Sequence, residues 1–233
     1  MFTQKFQAWV RKWAERLVSV FRDSPLTPNM LTLFGLVITG AGAAALAVGH
    51  LTIAGFILWF AGLFDILDGA LARASGKVYP YGAFLDSTVD RYSEGLVYLG
   101  LLVFFLGQHQ MVQPVLILLA LAGSFLVSYV RARAQSLGFT CEVGILARPE
   151  RVVIIVAGLL LDGIVGHHVV LTLALVILAV GTNFTAVQRI WVVWQQNRAA
   201  LRAQRRRPLA AGADDAGTAT PTRPAKRRFF ETP

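Results

Sequence analysis

The chain has 233 residues, of which 55% are hydrophobic and only 15% charged, with 22 Lys and Arg against 13 Asp and Glu and a net charge of +9. That apolar share excludes an ordinary soluble domain and predicts an all-α integral membrane protein. The single cysteine, Cys141, excludes an intrachain disulfide and a cysteine-built metal site, and nothing in the pattern of basic residues asks for a nucleic acid partner.

Residues 1–24 come first, with Phe2, Phe6, Trp9, Trp13, Leu17 and Phe21 at helical spacing and Lys5, Arg11, Lys12, Arg16 and Arg22 elsewhere around the wheel. This is the pattern of an amphipathic helix lying against membrane lipids, and charges run through it too densely for a secretory signal. Pro25 and Pro28 end it. Six apolar runs of spanning length follow, at roughly 30–50, 51–72, 86–107, 112–132, 149–166 and 168–190. The connections near His50, Leu106–Met111 and Asp162–His168 contain no Lys or Arg, so every basic residue falls on one side. The charge rule makes that side cytoplasmic and predicts a multi-pass plasma-membrane protein with both termini inside. Residues 25–197 form the spanning domain. Residues 198–233 read as a basic tail, disordered from 208 onward, whose arginines could hold anionic headgroups.

Asp65, Asp68, Asp86 and Asp90 lie in the segment LFDILDGALARASGKVYPYGAFLDSTVDRYSEG, within or at the edge of these spans. Each carboxylate at bilayer depth costs roughly 2.5–3.5 kcal/mol on insertion scales, so four together require a compensating charge. On a helix from Leu51, Asp65, Asp68, Gly69, Ala72 and Arg73 share one stripe. Gly69 and Ala72 leave a groove where a flat ligand could approach the backbone, or a notch for another helix. Gly76 and Pro80 break the helix, and a second helix near Gly82 places Gly82, Asp86 and Asp90 on one face at i, i+4 and i+8. Two helices joined by a short loop would bring the four carboxylates together. Arg73, Lys77 and Arg91 could neutralise them, but oxygen-only ligands on rigid helices suit Mg²⁺, or Mn²⁺, and two ions could clamp a diphosphate. A cation-translocation site is the reading from another class.

These residues match the pattern D-x2-D-G-x2-A-R-x8-G-x3-D-x3-D at all eight fixed positions, and the segment resembles the CDP-alcohol phosphotransferases. The resemblance implies a six-helix homodimeric enzyme that transfers a phosphatidyl group from CDP-diacylglycerol to an alcohol and releases CMP. It implies that Asp65, Asp68, Asp86 and Asp90 hold two metal ions and that Asp90 also serves as general base. It places the CDP-lipid at Gly69, Ala72, Arg73 and Gly82, with Pro28, Asn29 and Thr32 similar to the P-N-x2-T element of the first span.

The acceptor must be read elsewhere. Arg131, Arg148, Arg151 and Arg189 lie at cytoplasmic helix ends and would suit a phosphate dianion, although cytoplasmic anchors would be placed similarly. The stretches SYVRARAQSLG, ARPERVVII and VQRI are similar to bacterial phosphatidylinositol phosphate synthases, with Arg131 where lysine is usual. That resemblance implies myo-inositol 1-phosphate as acceptor. Another phosphorylated polyol, glycerol 3-phosphate above all, stays open as the alternative.

Overall fold

The computed structural model describes residues 27–75 and 79–214, with only the backbone course described at 66–75 and 205–214. The amphipathic segment expected at 1–24 lies outside the described residues. Among them, all regular structure is α-helical: α1 (Pro28–Ala47), α2 (Leu51–Ser75), α3 (Pro80–Gly107), α4 (Val112–Ser136), α5 (Arg148–Val165) and α6 (Val169–Asp214).

Local chemistry sets several of these ends. Thr27 caps α1 by accepting a hydrogen bond from the Met30 amide, and Pro28 follows at the first turn, where its missing N–H costs nothing. Pro80 opens α3 in the same way, two residues before the helix start expected near Gly82. α5 stops at Gly166, which adopts φ +74°, a conformation that favours glycine. The last helix continues to Asp214, and between Arg198 and Arg207 its Arg, Ala, Leu and Gln are strong helix formers that neither Gly nor Pro interrupts.

Each helix packs chiefly against two others, in the cyclic order α1, α2, α5, α6, α4, α3 and back to α1. The centre is filled by Leu46, Tyr98, Leu101, Phe105, Ile117, Leu159, Leu171 and Leu175. Small residues permit the closest approaches: a Cβ on Gly100 would lie 2.4 Å from the Ala43 carbonyl oxygen, so α1 and α3 meet backbone to backbone. The outside is apolar. Phe34, Phe56, Trp59, Phe84, Leu99 and Ile164 are exposed on it, a surface suited to lipid rather than water.

Among the described residues, three helices are individually long and apolar enough to cross a membrane: α1, α4 and the 169–204 part of α6. Of the others, α2 is apolar over the described stretch Leu51–Asp65, while α3 carries Asp86, Asp90, Arg91 and Glu94, and α5 carries Arg148, Glu150, Arg151 and Asp162. The polar residues within α3 and α5 are largely those that build the site.

Candidate active site

Asp65 sits fourteen positions into α2, and Asp86 and Asp90 sit one turn apart on α3. Both helices pack on α1, which brings one carboxylate oxygen from each of the three aspartates within 4.8 Å of the others. Asp90 is buried and the other two half-buried. Asp68, Gly69, Ala72 and Arg73 continue α2 beyond Asp65 as expected for the stripe, and their side chains lie outside the described residues.

The first span approaches the same region. Asn29 Oδ1 would lie 3.3 Å from a Cβ at Gly82, so the glycine leaves room beside this amide. Thr32 is buried and donates to the Pro28 carbonyl at 3.1 Å. Pro28, Asn29, Thr32 and Gly82 therefore gather at the head of α1 and the start of α3.

Positive charge enters from α5. Arg148 donates through Nη1 to Asp65 Oδ2, and its Nη2 lies 2.8 Å from Asp90 Oδ1. A guanidinium stays charged at all working pH values, so it offsets part of the carboxylate repulsion. The contact with Asp90 is close but badly angled, leaving Oδ1 buried and, among the described residues, without a hydrogen bond. A buried carboxylate oxygen without a donor, beside two more carboxylates, fits a hard divalent cation. Arg91 lies on the outer side of Asp90, 3.3 Å from Oδ2.

The remaining arginines are held more firmly than their sequence positions suggested. Arg151 is 2% exposed and makes a bidentate pair with Glu94, Nε to Oε1 at 2.7 Å and Nη2 to Oε2 at 3.0 Å. Its Nη1 donates to the Leu146 carbonyl, so two of its five N–H groups have no acceptor among the described residues. Arg189 is 4% exposed and donates to the carbonyls of Val143 and Val127 at 2.8 and 2.6 Å. Arg131 is exposed at the end of α4, and both it and Arg151 lie near enough to Arg189 to repel it electrostatically.

These contacts also fix the connection between α4 and α5. Leu146 N donates to Thr185 Oγ1, and Thr140 exchanges hydrogen bonds with the Gln196 amide. Gly144 adopts φ +141°, and a Cβ there would press on Thr185 at 2.5 Å. Sequence reasoning missed Glu94, Thr185 and Gln196. Glu94 did carry a signal: it follows Asp90 by four residues and extends the Gly82, Asp86, Asp90 stripe by one more turn.

A carboxylate cluster set inside an apolar helical bundle defines a membrane enzyme with a divalent-cation site. The chain belongs to the CDP-alcohol phosphatidyltransferase family, whose model matches residues 25–187. The archaetidylinositol phosphate synthase of Methanothermobacter thermautotrophicus is 41% identical over 172 residues, covering 73% of this chain and 85% of that protein. The crystal structure of the Mycobacterium tuberculosis phosphatidylinositol phosphate synthase with CDP-DAG bound superposes with a TM-score of 0.72 at 33% identity, covering 78% of this chain and 93% of that one. The same enzyme in complex with manganese and citrate gives 0.72 at 34% identity, over 78% and 88% of the two chains. Family membership sets aside the cation-transporter reading.

Proposed function

We propose that this protein transfers the phosphatidyl group of CDP-diacylglycerol to an inositol phosphate, myo-inositol 1-phosphate, giving phosphatidylinositol phosphate and CMP. The observation that carries the reading is the meeting of Asp65, Asp86 and Asp90 within 4.8 Å beside the arginines that begin α5. The solved relative with CDP-DAG bound supports the donor, and the inositol phosphate named in both the bacterial and the archaeal relative supports the acceptor.

Asp65, Asp68, Asp86 and Asp90 would hold two divalent cations, Mg²⁺ or Mn²⁺. Bound there, the cations supply charge neutralisation for the diphosphate and for the CMP leaving group. Asn29, Thr32 and Gly82, with Pro28, Gly69, Ala72 and Arg73, would receive the cytidine and its phosphates. Asp90 takes the proton from the acceptor hydroxyl. The oxygen attacks the phosphorus next to the diacylglycerol, the phosphoanhydride bond breaks, and CMP leaves with the bonding pair. Burial of Asp90 keeps bulk water from competing with the alcohol.

Arg131, Arg148, Arg151 and Arg189 would form the pocket for the acceptor phosphate. The proximity of Arg131 and Arg151 to Arg189 supports this, because clustered guanidiniums favour an anion among them. Arg131 is the exposed member that meets the entering ligand. All six helices would cross the membrane of a homodimer, with the carboxylate end cytoplasmic, as the distribution of basic residues supports.

The test offers the purified enzyme CDP-diacylglycerol and Mg²⁺ with inositol phosphate, glycerol 3-phosphate, inositol or serine in parallel. CMP release and a new phospholipid only with inositol phosphate are expected. Turnover with glycerol 3-phosphate alone would overturn the acceptor assignment and leave the donor intact.

A further inference from the structure

The cyclic order of the helices sets α3 and α5 on opposite sides of the ring. Two ion-pair rungs nevertheless join them. In the first, Arg148 meets Asp90; in the second, one helical turn deeper on both helices, Arg151 meets Glu94. Below this second rung the α3 stripe turns to Tyr98, which is fully buried. Glu94 and Arg151 thus form the floor of the polar region, and the apolar core begins beneath them.

A buried ion pair stabilises little, since desolvation offsets most of the attraction and an apolar pair of similar volume would often serve as well. The pair therefore needs a reason other than stability. Arg151 also holds the Leu146 carbonyl, so Glu94 is connected through one guanidinium to the end of the 137–147 connection. Without Glu94, the nearest carboxylate on α3 for Arg151 is Asp90, one turn away.

We propose that Glu94 is a positioning residue for the acceptor. By occupying Nε and Nη2 of Arg151, it fixes the guanidinium plane, keeps that charge off Asp90 and leaves the two unused N–H groups for the acceptor phosphate. This rests on the reading that Arg151 belongs to the acceptor-phosphate pocket. Glu94→Gln tests it directly, because the amide keeps one acceptor oxygen but sets an NH₂ against the second guanidinium N–H.

The experiment measures kcat, both KM values and Tm for the full-length enzyme with CDP-diacylglycerol and inositol phosphate. Glu94→Gln is expected to raise the acceptor KM about tenfold while the CDP-diacylglycerol KM stays within about twofold. Arg151→Lys should raise the acceptor KM more than Glu94→Gln does, because it removes the phosphate-binding N–H groups as well as the pair, and adding Glu94→Gln to it should cause little further loss. Unchanged kinetics, or both KM values and kcat worsening together with a lowered Tm, would overturn the proposal. If Glu94→Gln fails to fold, Glu94→Asp carries the same expectation, because its shorter arm cannot reach both nitrogens. A wild-type enzyme that uses glycerol 3-phosphate instead would overturn the inositol reading, and Glu94 would be tested identically with that acceptor. A wild-type enzyme that takes only an acceptor without phosphate would overturn both.

Discussion

Arg148 of α5 connects Asp65 of α2 to Asp90 of α3, reaching the second at 2.8 Å. One cation from the fifth helix thereby joins carboxylates carried by the second and third. Activity should depend on how the negative charge at this junction is balanced.

Asp90→Asn keeps the size of the side chain but cannot accept the hydroxyl proton. CMP release should fall by about 10²–10⁴-fold, the usual contribution of a positioned base, while CDP-diacylglycerol still binds. A single-turnover assay beside a lipid-binding assay checks this, and CMP release at the wild-type rate would rule out the base role.

Removing divalent cations with a chelator should abolish turnover, and Mg²⁺ or Mn²⁺ should restore it. Asp86→Asn should require a metal concentration about tenfold or more higher for half-maximal activity, because one oxygen ligand and one charge are lost. A titration of rate against free metal reads this directly.

Arg189 supports the 137–147 connection through Val143 and joins it to α4 through Val127. Arg189→Gln cannot reach both carbonyls, and each orphaned carbonyl costs about 1–3 kcal/mol. The acceptor KM should rise much more than the CDP-lipid KM, and protease cleavage within 137–147 should become faster. Equal changes in the two KM values would remove Arg189 from the acceptor pocket.

Gly100→Ala should destabilise the bundle by about 1–3 kcal/mol, the usual cost of overpacking. Its new methyl would meet the Ala43 backbone at 2.4 Å, where no side-chain rotation gives relief. Thermal unfolding in detergent measures the effect.

Asp162, near the far end of α5, is buried, pairs with His168 Nδ1 at 2.9 Å and accepts the Leu171 amide at 3.3 Å, which caps α6. It lies 14 residues from Arg148, about 21 Å along a helix. Asp162→Ala should cost about 1–2 kcal/mol and lower Tm while leaving the turnover of folded enzyme unchanged. A selective loss of turnover would contradict this separation.

Much of the carboxylate cluster was legible because helical periodicity converts spacing into a shared face. Asp86 and Asp90, four residues apart, had to lie on one side of α3, and their meeting with Asp65 depends on α2 and α3 both packing on α1. The arginines were harder to read. Position places Arg151 at the start of α5 and Arg189 where the last apolar run ends, but their partners, Glu94 and the carbonyls of Val127 and Val143, come from distant segments whose approach depends on the helix order. The bond between His168 and Asp162, only six residues apart, depends instead on the course of the α5–α6 turn. Beyond Trp194 hydropathy falls while helix propensity stays high as far as Arg207, so α6 outlasts the apolar run that marks it in the sequence.

The ring order also constrains assembly. Synthesis runs from the N-terminus, so the carboxylates of α2 and α3 emerge well before Arg148 and Arg151. Until α5 takes its place opposite α3, the segment from Asp65 to Glu94, with five acidic and three basic residues, has neither rung formed. Arrival of the fifth helix is therefore the step at which the half-made bundle becomes electrostatically complete, and the acceptor side of the site is the last to be built.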